Sequence, residues 1–135
     1  LFRSRVVNYG TVLATISDEH KQRSLPLIKR FYDLGFNIEA TSGTCRLLKE
    51  YGIKTRVKKK ISEGSNEILE SIRKGHVTYV INTVSNSNLQ HFKDGYLIRR
   101  CAVENNITVF TSLDTVNVLL DVLEEITMGV STIDE

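Results

Sequence analysis

Four times along this chain, apolar positions spaced as on a helix end in Gly or Asn and pass at once into a β-branched run. The phrase reads Asp33-Leu34-Gly35-Phe36-Asn37-Ile38, Glu50-Tyr51-Gly52-Ile53-Lys54-Thr55, Arg73-Lys74-Gly75-His76-Val77-Thr78 and Glu104-Asn105-Asn106-Ile107-Thr108-Val109. Gly and Asn accept the left-handed conformation that closes a helix, so each copy marks a helix stop joined to a strand start. Repeated junctions of this kind predict an α/β fold, a mostly parallel sheet with helices on both faces.

Strands are expected at 11–16, 37–40, 54–57, 78–82 and 107–110, and helices at about 22–34, 44–51, 66–74 and 96–105. Pro26 fits only near the first turn of its helix, with Ser24 a possible cap. Ser112 is expected to cap a last helix whose apolar stripe is Leu113, Val116, Leu119, Leu120 and Leu123. The segments 1–9 and 127–135 read as flanks, the latter as a tail. No linker or low-complexity stretch interrupts the rest, so one domain spans 1–135.

The 135 residues are 41% apolar and 25% charged, enough to bury one sizeable core. With 18 Lys and Arg against 16 Asp and Glu, the charge of +2 gives no reason to expect nucleic acid or an anionic membrane as partner. No apolar run reaches the roughly 18 residues of a spanning helix. Cys45 and Cys101 stand far apart, which fits a reducing, cytoplasmic setting. His20, His76 and His91 show no metal-ligand spacing and read as surface or satisfied polar groups. A start at Leu1 rather than Met reads as a piece of a longer polypeptide.

Ligands of open α/β sheets bind beyond the carboxyl ends of the strands. Thr41-Ser42-Gly43-Thr44 opens a helix there. Two hydroxyls flank a Gly where free amides and the helix dipole favour an anion, although the same residues serve equally as a plain cap. The dipole alone contributes only about 0.3–1 kcal/mol at an exposed site, so cations are needed. Lys21 and Lys60 leave the sheet on that side. Of the basic run Lys54, Arg56, Lys58, Lys59 and Lys60, alternation of faces lets only one or two reach a common ligand; Lys60, nearest the turn, is the candidate. Asn82-Thr83 ends a strand with an amide and a hydroxyl suited to a sugar or base, or simply to a loop. Arg99-Arg100 read as surface-pairing residues. Asp18 and Glu19 sit at a strand end, but no second acidic group converges on them at a motif-like spacing, and no phosphate-loop, dinucleotide or nucleophile-elbow motif is present. No catalytic residue is assigned.

Several blocks taken in order resemble a known family. They are Thr11-Val-Leu-Ala-Thr-Ile16 with Lys21, Ala40-Thr41-Ser42-Gly43-Thr44, Lys60-Ile61-Ser62-Glu63-Gly64, Tyr79-Val80-Ile81-Asn82-Thr83, Ile98-Arg99-Arg100 and Thr111-Ser112-Leu113-Asp114-Thr115. They are similar to the methylglyoxal-synthase-like domains, and more closely to the C-terminal allosteric domain of bacterial carbamoyl phosphate synthase large subunits, over roughly 10–125. The resemblance implies a three-layer sandwich with a five-stranded parallel sheet in order 3-2-1-4-5. It implies a nucleotide monophosphate effector, UMP with IMP as a second candidate. Lys21, Thr41, Gly43, Thr44 and Lys60 would hold the phosphate. Asn82, Thr83, Leu97 and Ile98 would face ribose or base, and Thr111 would transmit the signal. The implied parent is a cytoplasmic ligase making carbamoyl phosphate from glutamine and bicarbonate for arginine or pyrimidine supply. It would use ATP with Mg or Mn, the remaining synthetase domains and a small glutaminase subunit; this domain would need no cofactor. Many members carry a further Thr where this chain has Val84. The rival within the family is a lyase acting on dihydroxyacetone phosphate, whose acidic machinery the blocks after Ile16 and Thr83 do not reproduce.

Overall fold

A computed structural model of the chain describes residues 7–85 and 87–134, with side chains as far as Gly129. The strands are β1 (Thr11–Thr15), β2 (Asn37–Ala40), β3 (Arg56–Val57), β4 (Val77–Asn82) and β5 (Thr108–Phe110). The helices are α1 (Lys21–Asp33), α2 (Ser42–Glu50), α3 (Glu67–Arg73), α4 (Leu89–Glu104) and α5 (Leu113–Asp134). Single 3-10 turns at Asp18–His20 and Ile61–Glu63 precede α1 and α3. The sheet order is β3-β2-β1-β4-β5 with every pairing parallel, as the resemblance implies.

Alternation along the strands builds two cores. Val12, Ala14 and Ile16 join Ile38, Tyr79 and Ile81 under α1, α2 and α5, where Ile28, Phe31, Leu48, Leu120 and Leu123 are fully buried. Leu13 and Val80 face the other way, onto Ile68 and Ile72 of α3 and Ile98 and Ala102 of α4. Each such aliphatic side chain contributes about 1.5–3 kcal/mol on burial. Arg30 ties the outer helices of the first layer, forking both ways onto Glu124 (2.6 and 3.0 Å) with Asp121 at 2.8 Å. That hydrogen-bonded pair holds the Glu124 carboxyl below its ordinary range.

Thr11 pairs with Val77 but Val12 with Tyr79, which leaves Thr78 as the extra residue of a β-bulge. The bulge sends Val77 into one core and Tyr79 into the other. Thr78 Oγ1 donates to the carbonyl of Tyr9 at 2.9 Å, and Gly10 between them has φ +112°. A Cβ on Gly10 would lie 2.0 Å from Thr78 Oγ1. Gly10→Ala is therefore expected to lower stability by about 1–3 kcal/mol in a denaturant melt; an unchanged midpoint would mean that the bulge is not built this way.

Three expectations change. α1 starts at Lys21, out of the preceding 3-10 turn, and Pro26 sits in its second turn, where the Gln22 carbonyl loses its usual amide on the solvent side. Ser24 is not a cap; it is buried, its Oγ donating to the Lys21 carbonyl. The 127–135 tail is instead a continuation of α5 to Asp134. Of the expected 1–9 flank, residues 1–6 lie outside the described residues, while Val7 is held by Tyr79, whose hydroxyl accepts from its amide and donates to its carbonyl. Among the described residues no helix is long and apolar enough to cross a membrane.

Candidate functional site

A cleft opens at the carboxyl ends of β1, β2 and β4, where the strand order reverses direction. Its empty volume is about 590 Å³ with the open mouth included. Segments that follow four different strands meet there, together with the first turns of α4.

The cationic wall comes first from Lys21, the first residue of α1. Its side chain is only 15% exposed, and its Nζ donates to the Ile16 carbonyl (2.9 Å) and to Asp18 Oδ1 (2.5 Å). An ammonium has three donors, so one remains for the cleft. Its stem lies against Gly43, where a Cβ would come 3.4 Å from Lys21 Cε. Thr41 lines the cleft at the head of α2, and its side chain makes no cap to its own helix. Thr44 is fully buried and its hydroxyl has no hydrogen-bond partner among the described residues. Of the basic run, Lys60 lines the cleft. Its turn is braced by Glu63 on the Lys60 amide (2.8 Å) and by Asp94 on the Ser62 amide (3.2 Å). Asp18 stands exposed between these groups. Lys21, through its hydrogen bond, chiefly holds the Asp18 carboxyl below the ordinary range, with Lys60 and His91 adding to the effect.

The opposite wall comes from β4 and α4. Asn82 lines the floor, its Nδ2 donating to Thr15 Oγ1 (2.8 Å) and its Oδ1 accepting from Arg99 Nη1 (2.6 Å). Arg99 is thus a neighbour of the site, whereas Arg100 makes the expected surface pair, with Glu104 at 3.5 Å. Ile98 lines the cleft as anticipated; Leu97 is 42% exposed and does not. Thr83 is buried, its Oγ1 taking the Ser17 amide (2.8 Å) and facing Ser17 Oγ (3.1 Å). With Thr111 it lines a smaller neighbouring hollow beside the start of α5. The structure therefore gathers Lys21, Thr41, Lys60, Asn82 and Ile98, places Gly43 against Lys21, buries Thr44 behind the cleft lining, and sets Thr83, Leu97 and Thr111 outside the cleft.

Residues not foreseen also line it. α4 begins at Leu89, capped by Asn88, whose Oδ1 accepts the His91 amide at 2.9 Å. That start puts His91 and Asp94 on the cleft with Ile98. His91 Nε2 donates to the Thr83 carbonyl (2.6 Å), and buried Asp94 takes Gln90 Nε2 (2.9 Å) besides the Ser62 amide. Asp94 lines the same cleft as Asp18 without any motif-like spacing to it, and His91 is a satisfied polar group, as expected, that also forms part of the wall.

The fold is shared with ForH, whose crystal structure superposes with a TM-score of 0.64 over 87% of this chain and 80% of that one at 18% identity. Sequence relatives include the carbamoyl phosphate synthase large chains of Clostridium botulinum strains Langeland (NCTC 10281, type F) and Kyoto (type A2). Each is 43% identical over 113 residues, which is 84% of this chain. The chain spans about a tenth of the length of these curated relatives. The MGS-like domain family matches residues 23–111, a stretch running from α1 to the end of β5 and so through both walls of the cleft. Sheet order and sequence agree, and the chain belongs to the MGS-like domain family.

Proposed function

We propose that this chain is the regulatory module of a carbamoyl phosphate synthase large chain and that its cleft binds a nucleotide monophosphate, UMP or IMP. One observation carries the reading: two lysines from different loops and the head of α2 converge on one hollow at the reversal of strand order. A dianion there meets the free N–H of Lys21, the charge of Lys60, the first amides of α2 and the hydroxyl of Thr41. Asn82 and Ile98 lie across the cleft for the sugar or base. Thr83 and Thr111, in the adjoining hollow, link the strand ends to α5 and suit the passage of a signal toward the rest of a larger enzyme. That enzyme would consume ATP with Mg or Mn, draw ammonia from a glutaminase subunit and work in the cytoplasm for arginine or pyrimidine supply. A coupling of about 1–3 kcal/mol between module and synthetase is enough to change its activity several-fold or more.

His91 and Asp94 beside the lysines favour one second reading, a lyase acting on dihydroxyacetone phosphate, because acid–base groups next to a phosphate cradle are what such chemistry needs. Their bonding argues for the first. His91 Nε2 is spent on Thr83, and both Asp94 oxygens hold Ser62 and Gln90. Calorimetry with UMP, IMP and inorganic phosphate separates the two, paired with an assay for methylglyoxal from dihydroxyacetone phosphate. Binding without turnover is expected. No heat from any of the three ligands at millimolar concentration would remove the effector reading, and turnover would install the other.

A further inference from the structure

The amide of Asn82 is fixed in one orientation by its partners. Arg99 only donates, so the atom it meets at 2.6 Å has to be the oxygen. Thr15 Oγ1 gives its proton to the Ile81 carbonyl (3.4 Å) and therefore accepts from the nitrogen at 2.8 Å. Both ends of the network agree, which is how an amide is assigned. Oδ1 faces Arg99 and one N–H faces Thr15; the second N–H of the same amide has no partner among the described residues, and Asn82 lines the cleft.

Gly95 makes this arrangement possible. It lies in the interior of α4, where Gly carries a cost in helix propensity. A Cβ there would sit 2.7 Å from Arg99 Nη1 and 2.7 Å from Asn82 Oδ1, on the bond between them. The missing side chain lets Arg99 reach across its own helix to β4, with its guanidinium carbon 5.9 Å from the centre of the Phe92 ring.

We infer that Arg99, admitted by Gly95, acts as a positioning residue that makes Asn82 a donor toward the cleft, so that the site selects a base presenting a carbonyl oxygen over one presenting an amino group. This rests on the proposed function, specifically on Asn82 meeting the base. An exocyclic amine would place donor against donor in a buried setting, whereas an oxo group completes the amide's last bond. The chemical class selected is the oxo base, uracil or hypoxanthine, against cytosine or adenine.

Calorimetry of the chain with UMP against CMP, and IMP against AMP, tests it. The wild type is expected to prefer the oxo member of each pair by about tenfold or more. Arg99→Leu is expected to bring both ratios to within about twofold, because the 3.4 Å bond from Thr15 to Ile81 is too weak to hold the amide alone. Gly95→Ala is expected to do the same by wedging the bond apart, while Arg99→Lys, still a pure donor, keeps the preference. A general loosening of α4 would weaken all four nucleotides without moving the ratios, so ratios unchanged in Arg99→Leu would overturn the role given to Arg99. Equal binding of UMP and CMP by the wild type would overturn the selectivity while leaving the phosphate site standing. No binding of any of the four would overturn the proposed function as well.

Discussion

Lys21→Met is expected to weaken UMP and inorganic phosphate alike, by about 10- to 100-fold, with little change in the ratio between them. Two lysines line the cleft, and Lys21 is the one pre-oriented before a ligand arrives. Its ammonium is pinned by the Ile16 carbonyl and Asp18, its stem is packed on Gly43, and only 15% of the side chain reaches solvent. Little rotamer freedom is left for a ligand to remove, so most of the charge-assisted bond should appear as affinity. Lys60 is exposed and gives up more freedom on binding, so its removal should cost less. Asp18 offers a control of opposite sign. It stands 92% exposed beside Lys21 and opposes an incoming dianion, so Asp18→Asn is expected to tighten phosphate by about two- to fivefold, the scale of a surface charge pair. A titration at two salt concentrations checks both variants. Selective loss of UMP with phosphate untouched in Lys21→Met would move the phosphate elsewhere in the cleft.

The cationic wall was legible in the sequence because its parts obey local rules. Gly35, Gly52 and Gly75 and, alone among the described non-glycine residues, Asn106 have positive φ, as helix stops before strands require; that punctuation predicts the parallel strands, and the family resemblance supplies their order in the sheet. Once the strands are ordered, whatever follows each carboxyl end has to converge. The opposite wall depends on where α4 begins, and there the local signals conflict. The helix is expected only from about residue 96, which leaves His91 and Asp94 outside any predicted element, and Gly95 has a low helix propensity. The Asn88 cap and the bond between Arg99 and Asn82 outweigh the propensity of Gly95, and the helix starts two turns earlier. Arg99 was read as a surface residue because its partner lies 17 positions back on a different element. No periodicity encodes a contact of that kind.

Removing His76 is expected to destabilise the fold markedly, a consequence of a residue that sequence patterning does not single out. Glu39 lies in β2 between Ile38 and Ala40, in register with Leu13, and is 1% exposed. Parallel pairing puts it on the same face of the sheet as Leu13. Its Oε2 accepts from His76 Nε2 at 3.0 Å and faces Arg56 Nη1 at 3.6 Å, and its Oε1 has no partner among the described residues. A carboxylate in that position is tolerable only while its partners remain. Stripping one from a fully buried pair costs about 3–5 kcal/mol; His76 is 37% exposed and water can partly replace it, so about 1–3 kcal/mol is expected for His76→Leu. Arg56 is 72% exposed and its loss should cost well under that. Glu39→Leu should be near neutral or stabilising despite deleting the buried group itself, since it also removes the orphaned oxygen. The double variant should then recover most of what His76→Leu loses. Urea midpoints of the four proteins make the cycle, and a Glu39→Leu protein as unstable as His76→Leu would show that the carboxylate contributes favourably on its own, through a bond to Oε1 supplied from outside the chain.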